Sequence, residues 1–186
     1  MELAIAIIVI VAVMAGVFYL STAPSNPYEL TYGGLKFRFR GNLEEAKNIT
    51  VYPDTTALRN VLFGDFTRKY VLVWIDNTTI VGNQSINDFY AAAGFDLGTK
   101  FPVLVQNHYG ESKPLSPYNV SSIEEAKNLS DRLVPVIMFV SPPYTDRTAI
   151  TVDGYLIKLE AKDFTEIDRV YTDLDLVVAK LILTLM

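Results

Sequence analysis

The sequence predicts an α/β domain preceded by one transmembrane helix. Three observations carry this expectation. An uncharged apolar run occupies residues 3–20, strand-like and helix-like patterns alternate between residues 49 and 140, and glycine-centred hairpin signals at Gly33-Gly34 and Asp153-Gly154 bracket that alternation. Alternating strands and helices imply βαβ units with parallel strands, while hairpins add antiparallel pairs, so the sheet should be mixed.

The run Leu3 to Leu20 reads LAIAIIVIVAVMAGVFYL. At 1.5 Å per residue it spans about 27 Å as a helix, close to the hydrocarbon thickness of a bilayer. Tyr19 then falls at headgroup depth, where an aromatic ring with a polar tip is favoured. A helix buried in a soluble core is rarely apolar on every face for five turns. The start, Met1-Glu2, carries no Lys or Arg, the run exceeds a typical signal-peptide core, and Ser21-Thr22-Ala23-Pro24 lacks an A-x-A site. An uncleaved signal-anchor is therefore expected over a cleaved signal peptide, and a pilin-type leader lacks its basic segment. Ala12 and Gly16 form a small-xxx-small pair that either lets helices approach closely or simply faces lipid.

Charge near the helix does not set its orientation, because neither flank is strongly basic. Sequons do bear on it. Five N-x-S/T triplets begin at Asn48, Asn77, Asn83, Asn119 and Asn128. With 10 Asn, and 24 Ser or Thr among 186 residues, chance placement gives about one. The excess favours a single-pass protein with its domain outside the cytoplasm and five candidate glycosylation sites. The competing explanation is that Asn, Ser and Thr cluster at turns and caps.

The chain divides into an anchor at 1–20, a Ser/Pro/Asn-rich linker at 21–27 and a domain at 28–186. Within the domain, Tyr28 to Thr31 and Leu35 to Arg40 form an N-terminal β-hairpin about Gly33-Gly34. Asn42 to Asn48 makes one or two helical turns, and Ile49 to Tyr52 a short strand. Asp54 caps a helix carrying Ala57, Leu58, Val61 and Leu62, which Gly64 stops. Tyr70 to Ile75 is apolar throughout, as a strand buried on both faces should be. Ile86 to Leu97 reads as a helix weakened by Gly94, and Phe101 to Val105 as a further strand. Ser121 to Leu133 is expected to be a helix and Val134 to Val140 a strand. Ala149 to Val152 and Tyr155 to Leu159 flank Asp153-Gly154 as a late hairpin, and a C-terminal helix runs from Thr172 to Leu185. Asn42 to Thr50 echoes Ser122 to Ser130 at an offset of 80 residues, either as duplicated halves or as two helices using the same favourable residues.

The absence of cysteine excludes disulfides, thiolate catalysis and thiolate metal sites. A net charge of −5 and the lack of a basic stripe speak against nucleic acid. The one basic run, Lys36, Arg38 and Arg40, alternates with Leu35, Phe37 and Phe39, as the wet face of a strand or a lipid-headgroup patch. The only histidine, His108, falls in a polar stretch expected to be a loop, so a hydrolytic triad has little support. No glycine-rich phosphate motif occurs. Asp163, Glu166, Asp168, Asp173 and Asp175 are either solvated and capping groups or hard-cation ligands without EF-hand spacing. Asp76 lies just beyond a buried strand, where α/β folds place ligands, although capping or turn formation with Asn77 is the simpler role. Tyr144 in the stiff Ser141-Pro142-Pro143 loop could present a ring to a partner. The C-terminal helix has little wet surface: it is the domain's central helix, or Leu176 and Leu183 belong to a docking face.

These readings imply no cofactor and no metal, and attachment to a membrane through residues 3–20. They favour a non-enzymatic, extracytoplasmic interaction or assembly domain with a protein partner or self-association. Two alternatives stand beside it: a small-molecule-binding or hydrolytic α/β domain using carboxylates and tyrosines, and an accessory subunit of a membrane complex.

Overall fold

The computed structural model describes residues 26–64, 69–130, 134–165 and 170–186. The expected anchor, with Ala12 and Gly16, lies outside them, as do Glu166 and Asp168. Among the described residues no helix is long and apolar enough to cross a membrane.

Local chemistry sets most element boundaries. Strands β1 (Glu29–Tyr32) and β2 (Leu35–Arg38) turn through Gly33 and Gly34, both at positive φ. Asn42 caps the short helix α1 (Leu43–Lys47), its side-chain oxygen accepting from the Glu44 N–H at 2.9 Å. After β3 (Thr50–Tyr52), Asp54 caps α2 (Thr55–Leu62) by accepting from the Ala57 N–H at 2.8 Å. Strand β4 (Tyr70–Trp74) leads to a small hairpin, β5 (Ile80–Val81) and β6 (Gln84–Ser85), and into helix α3 (Ile86–Tyr109). A reciprocal Ser85–Asp88 box opens α3, and Gly110 closes it in the left-handed conformation. There follow β7 (Leu115–Asn119), α4 (Ile123–Ser130), β8 (Val136–Val140), β9 (Ala149–Asp153), β10 (Leu156–Glu160) and α5 (Asp173–Leu185), the last capped by a Thr172–Asp175 box.

The main sheet has the order β3-β9-β10-β8-β4-β7. Strands β10, β8, β4 and β7 run parallel, β9 pairs antiparallel with β10, and β3 runs parallel to β9. The expected mixed α/β sheet, with both hairpins and a C-terminal helix, is the observed architecture.

Strand alternation splits the core between the two faces. On β8, Ile137 and Phe139 enter the larger core beneath α1, α2, α3 and α5, while Val136, Met138 and Val140 enter the smaller one beneath α4. Helix α5 lies at the centre of the larger core and contacts α1, α2, α3, β9 and β10. Leu174, Val177, Val178, Leu181 and Ile182 are fully buried, and Leu176, Ala179 and Leu185 nearly so. Each such aliphatic side chain contributes roughly 1.5–3 kcal/mol on burial. Gly41 makes this packing possible: a Cβ there would sit 2.7 Å from the Asp175 carbonyl oxygen.

Three local expectations are corrected. Phe101–Val105 is not a strand, because α3 runs unbroken for 24 residues. Ile86, Phe89, Tyr90, Ala93, Leu97, Phe101, Leu104 and Val105 keep one 3.6-residue stripe buried. Gly98-Thr99-Lys100 resembles a turn, but Lys100 is only 7% exposed, paired with Asp96 one turn earlier and lying over the Phe39 ring. Pro102 removes one helical hydrogen bond, and the packed stripe carries the helix past it. His108 consequently sits in the last turn of α3, stacked on Phe63 at 4.0 Å, rather than in a loop. Finally, Leu115–Asn119, within the stretch between Val105 and Ser121 to which no strand or helix is assigned from the sequence, is the edge strand β7. The echoing helices α1 and α4 lie on opposite faces of the sheet, which supports shared capping chemistry rather than equivalent halves.

Candidate binding groove

The connection after β4 enters α3 on one face of the sheet, and the connection after β7 enters α4 on the other. The chain therefore parts between the carboxyl ends of β4 and β7, the position at which open α/β sheets form crevices. Register puts Leu115, Pro117 and Asn119 of β7 beside Tyr70, Leu72 and Trp74 of β4. Above them Ala91, Gly94 and Gly98 present one side of α3. Between helix and strands lies a groove of about 470 Å³, walled mainly by Leu72, Trp74, Leu115 and Pro117 and rimmed by Asp76, Asn87 and Tyr90.

Asn77 ties the rim together. Its N–H donates to Asn87 Oδ1 at 2.8 Å, and its Oδ1 accepts from the Thr79 N–H at 3.1 Å. Its Nδ2 donates to Ser141 Oγ at 3.0 Å and to the Pro142 carbonyl at 2.9 Å. The Tyr90 hydroxyl donates to Ser141 Oγ at 2.6 Å, and burial pushes the Tyr90 pKa up to about 12. Ser141 is 1% exposed with its hydroxyl committed to these neighbours, so it holds the rim rather than acting as a nucleophile. His108 lies 18 residues beyond Tyr90 on the same helix, roughly 27 Å away. No serine–histidine pair can form between them.

Asp76 stands differently. It is exposed, and it accepts from Asn119 Nδ2 at 2.7 Å. No Lys or Arg among the described residues pairs with it. A carboxylate at the open end of an apolar groove favours a cation or a hydrogen-bond donor there.

Gly98 decides how the groove is read. It is exposed in the middle of α3, and a Cβ added to it would meet nothing within 4 Å. A Cβ at Gly94 would make only ordinary contacts, 3.6 Å to Leu72 and 3.8 Å to Phe139. Glycine inside a helix costs roughly 0.5–1 kcal/mol relative to alanine. Packing does not require that cost at Gly98, which lines the groove.

The outer edge of the groove is blunted. The Tyr70 N–H donates to the Pro114 carbonyl and the Val120 N–H to the Trp74 carbonyl. In an evenly spaced parallel ladder, even-numbered residues of β7 thus face β4 and odd-numbered ones face outward. Pro117 places its missing N–H on the free edge, which disfavours addition of a further strand.

A second polar cluster lies on the opposite face of the sheet. Buried Glu160 accepts from Arg147 Nε at 3.1 Å, from Thr145 at 3.3 Å and from Thr151, while Arg147 also covers the Tyr52 ring. Among the described residues no buried side-chain nitrogen or oxygen lacks a partner.

Comparison with protein-family models, with curated proteins and with solved structures finds no match to this chain.

The residues singled out in the sequence are dispersed. Asp76 reaches the groove, but it accepts from Asn119 rather than capping a helix. Tyr144 is 51% exposed in the loop after β8; Leu176 is buried in the core, and Leu183 is half-buried. Asp163 accepts from the Thr165 N–H, Asp173 from the Thr148 hydroxyl, and Asp175 from Arg40 and Thr172. Among the described residues no three potential metal ligands converge. Lys36 and Arg38 both pair with Glu29, and Arg40 with Asp175. Of the five sequons, Asn83 is exposed in the β5–β6 turn, and Asn48 is exposed with its amide on the Glu44 carbonyl. Asn128 is exposed on α4, Asn119 holds Asp76, and the Asn77 amide is spent inside the rim. Sequence reasoning missed Trp74, Asn87, Tyr90, Gly94 and Gly98. The available signal was Ala91, Gly94 and Gly98 at helical spacing, which the supposed break before Phe101 concealed.

Proposed function

We propose that this chain is a membrane-held, extracytoplasmic binding domain whose groove takes a small, largely apolar molecule with a protonated amine or other donor at one end. The carrying observation is Gly98, a helical glycine over open space that packing does not need. The volume of about 470 Å³ falls within the usual range for small-molecule sites. Apolar walls would take the body of the ligand, and Asp76 with Asn87 its polar head. The tied hydroxyl of Ser141 and the distance to His108 favour binding over hydrolysis, and Pro117 weighs against a partner strand. Residues 3–20 would hold the domain at the membrane, on the side suggested by the sequons.

The test is a thermal-shift series on the full chain in lipid nanodiscs with alkyl- and arylamines and the matched alcohols and carboxylates. Amines should raise the melting temperature most. Asp76→Asn should reduce the amine response to that of the alcohols, and Gly98→Leu should abolish both. Equal responses to amines and carboxylates, or an unchanged response in Gly98→Leu, would refute the proposal.

A further inference from the structure

A second pocket, of about 390 Å³, lies where α1, α2 and α5 meet. Lys47 from the end of α1, Arg59 from α2 and Lys180 from α5 all line it, with Thr55 at the first turn of α2. The local roles of the cations are plain. Arg59 Nη1 donates to the Thr184 carbonyl at 2.5 Å and Lys180 Nζ to the Lys47 carbonyl at 2.7 Å, each satisfying an end-of-helix oxygen. Those bonds leave charge uncompensated. Lys47 pairs with Glu44 at 2.7 Å, but neither Arg59 nor Lys180 meets a carboxylate among the described residues. The nearby Asp54 is spent on the Ala57 N–H. Burial holds the Lys180 ammonium below its ordinary lysine pKa, as expected for a cation without a counter-charge. In a chain of net charge −5, three cations converging on one pocket demand an explanation that helix ends alone do not supply.

We propose that the pocket lined by Lys47, Arg59 and Lys180 binds a phosphate-class oxyanion. Arg59 supplies a planar donor fork, the two lysines supply point charges, and the Thr55 hydroxyl supplies a neutral donor. Position suggests where such a group would come from. The Leu43 N–H donates to the Pro27 carbonyl at 2.7 Å, so α1 starts beside the point where the chain enters the domain. Lys47 is about 6 Å further along that helix. With residues 3–20 in a bilayer, a linker of a few residues keeps this pocket within reach of lipid headgroups, so both a headgroup phosphate and a free phosphate are sources the test must separate.

Isothermal titration calorimetry on the full chain, purified in a phosphate-free maltoside detergent, provides that test. Inorganic phosphate and dihexanoyl phosphatidic acid are the two probes, with chloride at matched ionic strength as reference. One saturable site is expected for the favoured probe. Arg59→Gln/Lys180→Gln should weaken it by about tenfold or more, the loss expected when charge-assisted hydrogen bonds are removed. Because that double variant also frees two helix-end carbonyls, Thr55→Glu is the companion. It adds a carboxylate at a helix start, where the fold tolerates one, and should abolish binding while the melting temperature holds. Tighter binding of phosphatidic acid through the same cations identifies a headgroup site, and equal binding a free-oxyanion site. No saturable binding of either probe, or binding that survives Thr55→Glu, overturns the proposal.

Discussion

Replacing Gly98 with alanine should stabilise the domain, and this separates a glycine kept for a groove from one kept for the fold. The new Cβ meets nothing within 4 Å, so no clash opposes the gain. The gain is the helix-propensity difference, roughly 0.5–1 kcal/mol. For a domain of this size 1 kcal/mol moves the melting temperature by about 2–4 °C, so the expected rise is about 1–4 °C. Gly98→Leu should melt no lower than Gly98→Ala, because a side chain at 98 has open groove space to extend into. The assay is thermal melting followed by far-UV circular dichroism, with Gly94→Ala as a second reference. A lower melting temperature for Gly98→Ala would refute the reasoning. It would mean that the backbone around Pro102, four residues on, needs glycine at 98, and the groove would lose its main support.

Other outcomes follow from the same contacts. Leu181 is fully buried within α5, so Leu181→Ala should cost about 2–5 kcal/mol by chemical denaturation, and an unchanged midpoint would contradict its core position. The Ser85 backbone N–H, and then its hydroxyl, hold the Asp88 carboxyl below the usual carboxylate range. That stabilisation is present above the unfolded-state value of about 3.9 and is lost as pH falls through the lower folded-state value. Asp88→Asn should therefore flatten the acid limb of a melting-temperature profile, and an identical limb would count against the cap. Expressed in a cell that glycosylates the sequon, Asn83 should carry glycan and Asn77 should not. Mass spectrometry of the glycopeptides checks this, and a glycan on Asn77 would conflict with its two side-chain donor bonds in the rim.

The frame of the fold was readable because its signals are local. Asn42, Asp54 and Thr172 cap the helices they precede, and Gly33-Gly34 and Asp153-Gly154 turn the hairpins they centre. The all-apolar segments Tyr70–Trp74 and Val136–Val140 became adjacent inner strands. What failed depended on tertiary packing. Gly98 and Pro102 look like breakers in isolation, and the core stripe on α3 overrides them. Strand β7 has no apolar alternation to announce it, because it is paired on one side only and four of its five residues are exposed. The groove depends on both misread segments. Asp76 alone could be placed near a crevice, while the glycine face above it and the strand beside it could not.

Helix α5 carries a consequence for how the chain is made. It comes after every strand in chain order, yet it occupies the centre of the larger core and touches α1 across more than a hundred residues, as between Lys180 and Lys47. During synthesis, Leu58, Phe101 and Phe139 will have emerged long before the helix that covers their face. Contacts of such long sequence separation slow folding, and the uncovered face is a target for aggregation or for a chaperone until residues 173–185 arrive. A ribosome-stalling series should show protease resistance appearing in a single late step rather than strand by strand.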